Sequence, residues 1–422
     1  MPALRERFKQ YAPSFVHRAV GAARGLLSQP PQEQRVLHGY DVFPEVDDRA
    51  RLNLVIPSIE PGVAFGGVLT GLDFYLRLSA ATGAAARIII DDFNPAPDRS
   101  VVDAACRRIG IDPAALTVVP RDTDTPQISV GARDVFIGYN WWTMLNMQAL
   151  VAAQAQAAGG RRAPCIYICQ DFEPGFYPFS STHLVAWRAL RGEGPWWAIY
   201  NSAELASYLA ALGVSSQETF VIEPTLSPAL RPFLPHGPVP RTRRLLVYGR
   251  PGVPRNCFPA VVAGLRQWAA SYPQAAQWEV ISAGAPHRPM PLGHGVELRA
   301  AGKLSLDDYA AMLRGTAVGL SLMASPHPSY PPLEMAHFGV LTVTSDYAFK
   351  TMARAHDNIT ALEDIRPESI AAALSRSCAR FEADPAAGAH GQSHRPAYLA
   401  DDLYPFLPEL AAKLASYWSA GG

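Results

Sequence analysis

The stretch SLMASPHPSYPPLEMAHFGVLTVTSD, Ser321 to Asp346, decides the fold. An apolar run (Val318 to Met323) enters a turn rich in Pro and Ser. A short helical pattern carrying Glu334 follows, and a second apolar run (Val340 to Val343) begins right after Gly339. That order reads as strand, loop, helix, strand, with a carboxylate at the helix start facing the carboxyl end of a strand. In open parallel sheets ligands sit at this edge. A glutamate so placed can accept paired hydrogen bonds from two adjacent hydroxyls, such as those of a ribose.

The same alternation runs outward in both directions. Upstream, short apolar runs predict strands at Asn53–Pro57, Arg87–Asp91, Leu116–Val119, Val135–Tyr139, Cys165–Cys169, Trp197–Tyr200 and Thr219–Ile222. Helical patterns lie at Val68–Ala81, Ser100–Ile109, Thr143–Ala157 and Ala203–Leu212. Near-continuous apolar strands joined by helices imply a parallel sheet covered on both faces. Prolines at 224, 228, 232, 235, 238 and 240 then interrupt the pattern. Proline fixes φ and removes donors, so this reads as a semi-rigid linker. Beyond it the alternation restarts, with strands at Leu245–Gly249, Glu279–Ser282, Val296–Arg299, Val318–Met323 and Val340–Val343. Helices are expected at Cys257–Ser271, Leu306–Arg314, Leu333–Phe338 and Pro367–Phe381. A segment from Ala386 to Pro396 reads as loose, and Leu403–Trp418 as a helix docking back on the body.

The expected architecture is α/β: two Rossmann-like, doubly wound domains facing across a cleft. The boundaries are 1–50 for a basic amphipathic extension, 51–225 for the first domain and 226–242 for the linker. The second domain takes 243–385, and 386–422 the tail and last helix.

Composition narrows the function. The 422 residues are 49% hydrophobic and 18% charged, enough for sizeable cores. With 37 basic and 37 acidic side chains the net charge is zero, which disfavours nucleic acid as a main partner. Five cysteines, at 106, 165, 169, 257 and 378, are scattered and read as buried thiols in a reducing cytoplasm, without a metal-ligand pattern. The pair Asp122 and Asp124 reads as a polar loop. No apolar run is long enough to span a bilayer, and no secretory signal pattern opens the chain. Residues 4–27 do carry Arg5, Arg7, Lys9, Arg18 and Arg24 against Glu6, interleaved with apolar side chains. Such a segment suits peripheral contact with the inner face of an anionic membrane, or equally packing on the protein itself.

Four motifs sit at expected strand ends. In PSIEPGVAFGGVLTGLDFYL, Gly66 and Gly67 precede a helix and would let a backbone approach a diphosphate, though a Gly-Gly pair is also ordinary turn chemistry. In LLVYGRPGVPRNCF, Arg250 ends a strand and Arg255 opens the next helix; the guanidinium fork matches phosphate oxygens. In AAGKLSLDDYAAML, Lys303 stands ahead of a helix capped by Ser305. In CQDFEPGFYPF, Asp171 and Glu173 lie among Phe172, Phe176, Tyr177 and Phe179. Carboxylates beside rings suit sugar binding, and a turn packed by aromatics is the alternative.

The region around Glu334 resembles glycosyltransferases of the GT-B type, family four, in which two glutamates bracket a donor-binding turn. Glu334 matches the second; the first position is Pro326 here. The departure is similar to a narrower group, the WsaF-type rhamnosyltransferases of bacterial surface-glycan assembly. The resemblance rests on NLVIPSIEPGVAFGGVLT, QDFEPGFYPF, LVYGRPGVPRNCF, GKLSLDDYA and SLMASPHPSYPPLEMAHFG, spread over residues 53–339. It implies a GT-B fold and a nucleotide-sugar donor, dTDP-rhamnose, in the second domain. It also implies a glycan or lipid-linked glycan acceptor in the first, transfer with retention, and no metal or other cofactor. By position, Arg250 and Lys303 would hold the diphosphate and Glu334 the ribose or sugar hydroxyls. Arg255, Ser325, His327, Ser329 and Tyr330 would shape the donor site, with Gly66 and Gly67 facing it across the cleft. His327 is the nearest substitute for the missing glutamate. Asp171 would orient the acceptor hydroxyl, beside Glu173, Phe176 and Tyr177. Two other classes fit two Rossmann-like halves: an epimerase-like sugar-nucleotide enzyme without acceptor, and a non-catalytic two-lobed binder.

Overall fold

A computed structural model describes residues 31–46, 49–62, 67–192 and 196–420. The basic segment 4–27 and Gly66 therefore lie outside the described residues. The chain builds two seven-stranded sheets. In the first, all parallel, the order is Leu116–Val119, Ala85–Ile90, Arg51–Ile56, Asp134–Gly138, Cys165–Cys169, Trp196–Tyr200, Glu218–Val221. In the second it is Met290–Gly293, Val296–Gly302, Glu279–Gly284, Thr242–Gly249, Thr316–Ser321, Leu341–Ser345, Ile359–Leu362, antiparallel only between Met290–Gly293 and Val296–Gly302. Both are doubly wound. The order reverses between Arg51–Ile56 and Asp134–Gly138 in one sheet, and between Thr242–Gly249 and Thr316–Ser321 in the other. Ligands of such sheets bind outside the carboxyl ends at these switch points.

Burial explains the strands. Every residue of Asp134–Gly138, Cys165–Cys169, Trp196–Tyr200, Thr316–Ser321 and Leu341–Ser345 is buried, as strands covered on both faces must be. Hydroxyl and amide caps set the helix starts: Asn140 and Thr143 form a reciprocal capping box, while Ser202 and Ser305 accept from Leu205 N and Asp308 N at 3.0 and 3.1 Å. The helix Tyr330–His337 stops at Gly339, whose φ of +83° gives the left-handed turn that closes a helix, with Val340 N donating to Met335 O at 2.9 Å.

Several details differ from the sequence reading. The expected helix Thr143–Ala157 is two helices, Trp141–Asn146 and Gln148–Ala157, parted at Met147. A helix at Ser181–Ala189 and strands at Asp41–Pro44, Gln127–Val130, Met290–Gly293 and Ile359–Leu362 carry too weak a pattern to stand out. Asp41–Pro44 pairs in parallel with Gln127–Val130, so residues 31–46 are knit onto the first lobe. Arg51 reinforces that seam, donating to both Asp134 oxygens (2.6 and 2.7 Å) and to Glu45 (2.6 Å). The proline-rich linker has no α-helix or strand, yet Leu226 and Leu230 are buried in it. The Ala386–Pro396 segment is not loose. Ala387 and Gly388 are buried against the loop at Gly339, and His394 pairs with Asp357 at 2.6 Å.

The last helix, Leu407–Ser419, returns to the first lobe. Its Leu410, Leu414 and Trp418 enter the same core as Leu72, Leu76 and Ile166. Lys413 pairs with Glu218 at 2.8 Å and the Trp418 indole donates to Arg133 O at 3.0 Å. Leu410→Ala and Leu414→Ala should each destabilise the first lobe by about 2–5 kcal/mol, as fully buried leucines do. Urea unfolding checks this: a helix lying loosely on the surface would give shifts within about 0.5 kcal/mol.

Candidate active site

The carboxyl ends of both sheets meet at one cluster. From the first lobe come Tyr139, Gln170, Asp171 and Asn201, each just past the end of a strand. From the second come Arg255 after Thr242–Gly249, Ser325–Ser329 after Thr316–Ser321, and Lys350 after Leu341–Ser345.

Asp171 joins the two. Its Oδ1 accepts the Ser325 hydroxyl at 2.5 Å and the Phe172 N–H at 2.8 Å, and Arg255 Nη1 lies 3.4 Å from Oδ2. The Arg255 guanidinium also covers the Phe176 ring at 4.0 Å, the range of a cation–π contact. A second bridge runs from the Tyr330 hydroxyl to Asn201 Oδ1 at 3.5 Å, and Asn201 donates onward to Gln170 at 3.1 Å. Gly67, at the start of the helix Gly67–Thr82, fits closely here: a β-carbon would stand 2.8 Å from the Tyr139 hydroxyl and 3.0 Å from Gln170 Oε1. A side chain there would have to push the ends of Tyr139 and Gln170 aside.

Within the turn, polar groups are chained. The Ser325 hydroxyl accepts His327 N at 3.0 Å, and His327 Nδ1 accepts Ser329 N at 3.1 Å. Ser329 has φ +55°, a strained conformation that aims the chain into the helix. Burial pushes the His327 imidazole down to about 4, against the pull of Asp171, so the ring is neutral at neutral pH. With Nδ1 accepting, the proton sits on Nε2. The Ser329 hydroxyl, Gln170 Nε2 and Arg255 Nε are buried without a hydrogen-bond partner, while the Asn201 backbone lies in reach of the His327 ring. Buried polar groups left open in one place are completed by ordered water or by a ligand.

Glu334 is half-buried one turn into the helix, its Oε2 accepting the Tyr309 hydroxyl at 2.8 Å. Burial raises its pKa, opposed by that hydrogen bond. Arg250 and Lys303 are exposed at the ends of their strands. Lys350, 1% exposed, donates to Met323 O at 2.8 Å, and burial lowers its pKa to about 8 despite Asp171 and Asp346. It steadies the strand end that leads into the 325–329 turn.

Glu173 faces inward. Its Oε2 accepts Trp141 N at 2.5 Å and the Tyr167 hydroxyl at 2.8 Å, and burial pushes its pKa up to about 8. Tyr177 accepts the Trp141 indole N–H at 3.0 Å, so both residues brace the turn while Phe176 reaches its surface. Tyr139, Gln170, Asn201, Tyr309 and Lys350 escape the sequence reading. Gln170 and Tyr309 lie inside motifs already singled out, whereas the position of Lys350 depends wholly on tertiary packing. Among the described residues no cluster of His, Cys, Asp and Glu is arranged to hold a metal ion.

Comparison with known proteins now has a geometry to rest on. The WsaF N-terminal domain matches residues 51–203, and the WsaF C-terminal domain matches residues 243–375. The chain belongs to the WsaF family. O-antigen biosynthesis protein RfbC of Myxococcus xanthus is 33% identical over 211 residues, 49% of this WsaF-family chain. The match spans only 16% of that relative's length. Among solved structures, WaaG, a glycosyltransferase involved in lipopolysaccharide biosynthesis, aligns with a TM-score of 0.52 at 14% identity, covering 86% of this chain and 99% of WaaG. The α,α-trehalose 6-phosphate synthase of Burkholderia multivorans gives 0.53 at 12% identity, covering 88% and 98%. The E. coli trehalose-6-phosphate structure bound with UDP-2-fluoro glucose gives 0.51 at 10% identity, covering 88% and 98%. Identities this low speak to architecture alone, and that architecture is GT-B.

The folded state keeps the Glu173 proton up to about pH 8, whereas in an unfolded chain the carboxyl loses it near pH 4.5. The stability this proton confers is therefore complete below pH 4.5 and is lost as pH rises towards 8. Glu173→Gln keeps an oxygen for Trp141 and Tyr167 and removes the titration. Thermal melts of the two proteins should diverge progressively between about pH 5 and about pH 8, the variant gaining on the wild type. Parallel curves would place the proton elsewhere.

Proposed function

We propose that this chain is a glycosyltransferase of surface-polysaccharide assembly, moving a sugar from a nucleotide-sugar donor in the second lobe to a glycan or lipid-linked glycan held against the first. The observation that carries the reading is the group of buried, unpartnered polar atoms, the Ser329 hydroxyl, Gln170 Nε2 and Arg255 Nε, gathered where the two cleft edges meet. The O-antigen relative and the GT-B fold favour the same chemistry. The finer reading, rhamnose from dTDP-rhamnose with retention, rests on the motif resemblance.

In this mechanism the bond from the sugar's anomeric carbon to the diphosphate breaks, and a bond to the acceptor oxygen forms on the same face. The acceptor proton passes to a departing phosphate oxygen, so no separate base is needed. Negative charge grows on the leaving group. In this reading Arg250 and Lys303, both exposed at strand ends, neutralise it without a metal. Where the wider family has a glutamate this chain has Pro326, and the neutral ring of His327 next to it shapes the donor side of the turn in this reading. Glu334, with one oxygen fixed by Tyr309, keeps the other for donor hydroxyls. Asp171 Oδ2, touched only by the long Arg255 contact, has capacity left for an acceptor hydroxyl. All five cysteines are free, which fits a reducing, cytoplasmic setting.

Arg250→Ala and Lys303→Ala should each lower turnover on the order of 10²–10³-fold with an unchanged melting temperature. Nucleoside diphosphate release, followed with a panel of nucleotide sugars with and without acceptor, checks this. Near-wild-type turnover in both variants removes the assignment, and release without any acceptor product favours an epimerase-like enzyme. Glu334→Gln should weaken nucleotide-sugar binding by about tenfold, the loss of one charge-assisted hydrogen bond, read by calorimetry.

A further inference from the structure

The turn Tyr347–Lys350, just past the strand Leu341–Ser345, is inside out. Tyr347 and Phe349 are 38% and 50% exposed, while Lys350, the one charged residue of the turn, is fully buried. Lysine is almost never buried whole without a paired charge. Tyr347 and Lys350 exchange backbone hydrogen bonds at 3.1 and 2.9 Å, and Ala348 between them takes φ +49°. Alanine rarely adopts that conformation, and strain of this kind gathers at functional sites. The turn also lies at the seam, since the Tyr347 hydroxyl meets that of Tyr208 on the first lobe at 3.3 Å. Composition sharpens the point. Of the 37 basic side chains only four are lysine, at 9, 303, 350 and 413. Lys9 lies outside the described residues, Lys303 is exposed, and Lys413 pairs with Glu218. A chain that otherwise places arginine has set a compact ammonium, which releases its proton when buried as a guanidinium does not, beneath its cleft edge.

We propose that Lys350 is a positioning residue of the cleft. Its buried ammonium pins the backbone ahead of the 325–329 turn and supplies, with Arg255, the positive charge against which Asp171 of the first lobe is held. Lys350 Nζ donates to Met323 O at 2.8 Å, an oxygen that also accepts the Ser345 hydroxyl at 3.1 Å. Ala324 N donates to Arg255 O at 2.8 Å. The two residues ahead of Ser325 are thus fixed by Lys350, Ser345 and the backbone of Arg255, and Ser325 then bonds Asp171. The carboxylates acting on the ammonium are Asp171 and, on its own loop, Asp346. Cys257, before the helix Phe258–Ser271, faces it as a thiol that burial pushes up, and His327 as a neutral ring. Burial outweighs both carboxylates and brings Lys350 down to about 8. A charge whose burial outweighs the attraction of its partners does not serve stability, and groups shifted this way gather at functional sites.

Above about pH 8 the neutral amine still has an N–H for Met323 O, but the charge near Asp171 is gone. Asp171 keeps Ser325, Phe172 N and the long Arg255 contact, and the hold between the lobes weakens. The consequence for sugar transfer rests on the proposed transferase reading; the hold on the seam does not.

The test is small-angle scattering of the full chain on both sides of about pH 8, beside nucleoside diphosphate release from nucleotide sugars over the same range. The wild-type radius of gyration should rise as the pH passes that point. Lys350→Gln, which keeps an N–H for Met323 O without the charge, should be wide on both sides of it. Turnover should fall by at least about tenfold in the wider forms, the worth of one charge-assisted hydrogen bond. Glu173 titrates in the same range, so Glu173→Gln is the control and should retain the wild-type pH dependence. A wild type of constant radius, a compact Lys350→Gln protein, turnover indifferent to the opening, or a Glu173→Gln protein without the pH dependence each overturns the proposal. The wild-type comparison needs no variant and decides the case if a substitution fails to fold. Absence of turnover with every nucleotide sugar would reject the transferase reading, and the scattering would still decide the role of Lys350.

Discussion

Asp171 is a buried carboxylate at a boundary, and nearly everything about the cleft follows from how it is satisfied. Its own lobe supplies one backbone N–H, and the rest of its hydrogen bonding comes from Ser325 and Arg255 of the other lobe. A buried charge deprived of its partners costs several kcal/mol, so the two sheets are held with their carboxyl edges together. The bond to Ser325 does more than close the gap. The same hydroxyl anchors His327 N, His327 anchors Ser329 N, and Ser329 sets the entry to the Glu334 helix. A continuous hydrogen-bonded chain thus runs from the first lobe into the 325–329 turn, and the shape of that turn depends on the lobes being in register.

Two carboxylates in one short turn divide the labour by environment. Asp171 reaches across the cleft to cations and a hydroxyl, while two residues later Glu173 points inward to Tyr167 and Trp141 N, in a setting dry enough to favour its protonated form. Sequence spacing presents them as an equivalent pair. What separates them is direction: the backbone turns between them, and only one side chain can face the second lobe.

This is also the measure of what the sequence could disclose. The central strands were legible because they are apolar on both faces, and the GT-B halves follow from their alternation with helices. Asp41–Pro44 and Gln127–Val130 were not, since each is short and only their distant pairing makes a sheet of them. The packed 386–396 segment was misread from composition: its glycines permit the close approach of Gly388 to Gly339 and do not signal freedom. The strand-end motifs singled out Arg250, Arg255, Lys303 and Glu334, and of these Arg255 meets Asp171 across the cleft. Asn201, Gln170 and Lys350 stayed hidden because a polar residue after a strand is commonplace until the other lobe is placed against it.

The helix starts along the cleft edge show how unevenly the two lobes equip it for an anion. In the second lobe, the helix Tyr330–His337 has prolines at 331 and 332, which removes two N–H groups that a helix start would otherwise offer. The helix Leu306–Gly315 opens with Asp307 and Asp308, whose charges oppose a phosphate. The helix Phe258–Ser271 has Pro259 in its first turn. In the first lobe, Trp141 N is taken by Glu173, and Ser202 with Glu204 occupies the start of the helix Ala203–Ala211. The helix Gly67–Thr82 has neither proline nor acid in its first turn, and Gly67 keeps its backbone open to Tyr139 and Gln170. Under the proposed reading, backbone N–H groups for a diphosphate would therefore come from the first lobe. The second would contribute cations and side-chain donors in place of the backbone that its prolines withhold, so a complete anion site would exist only when both edges meet.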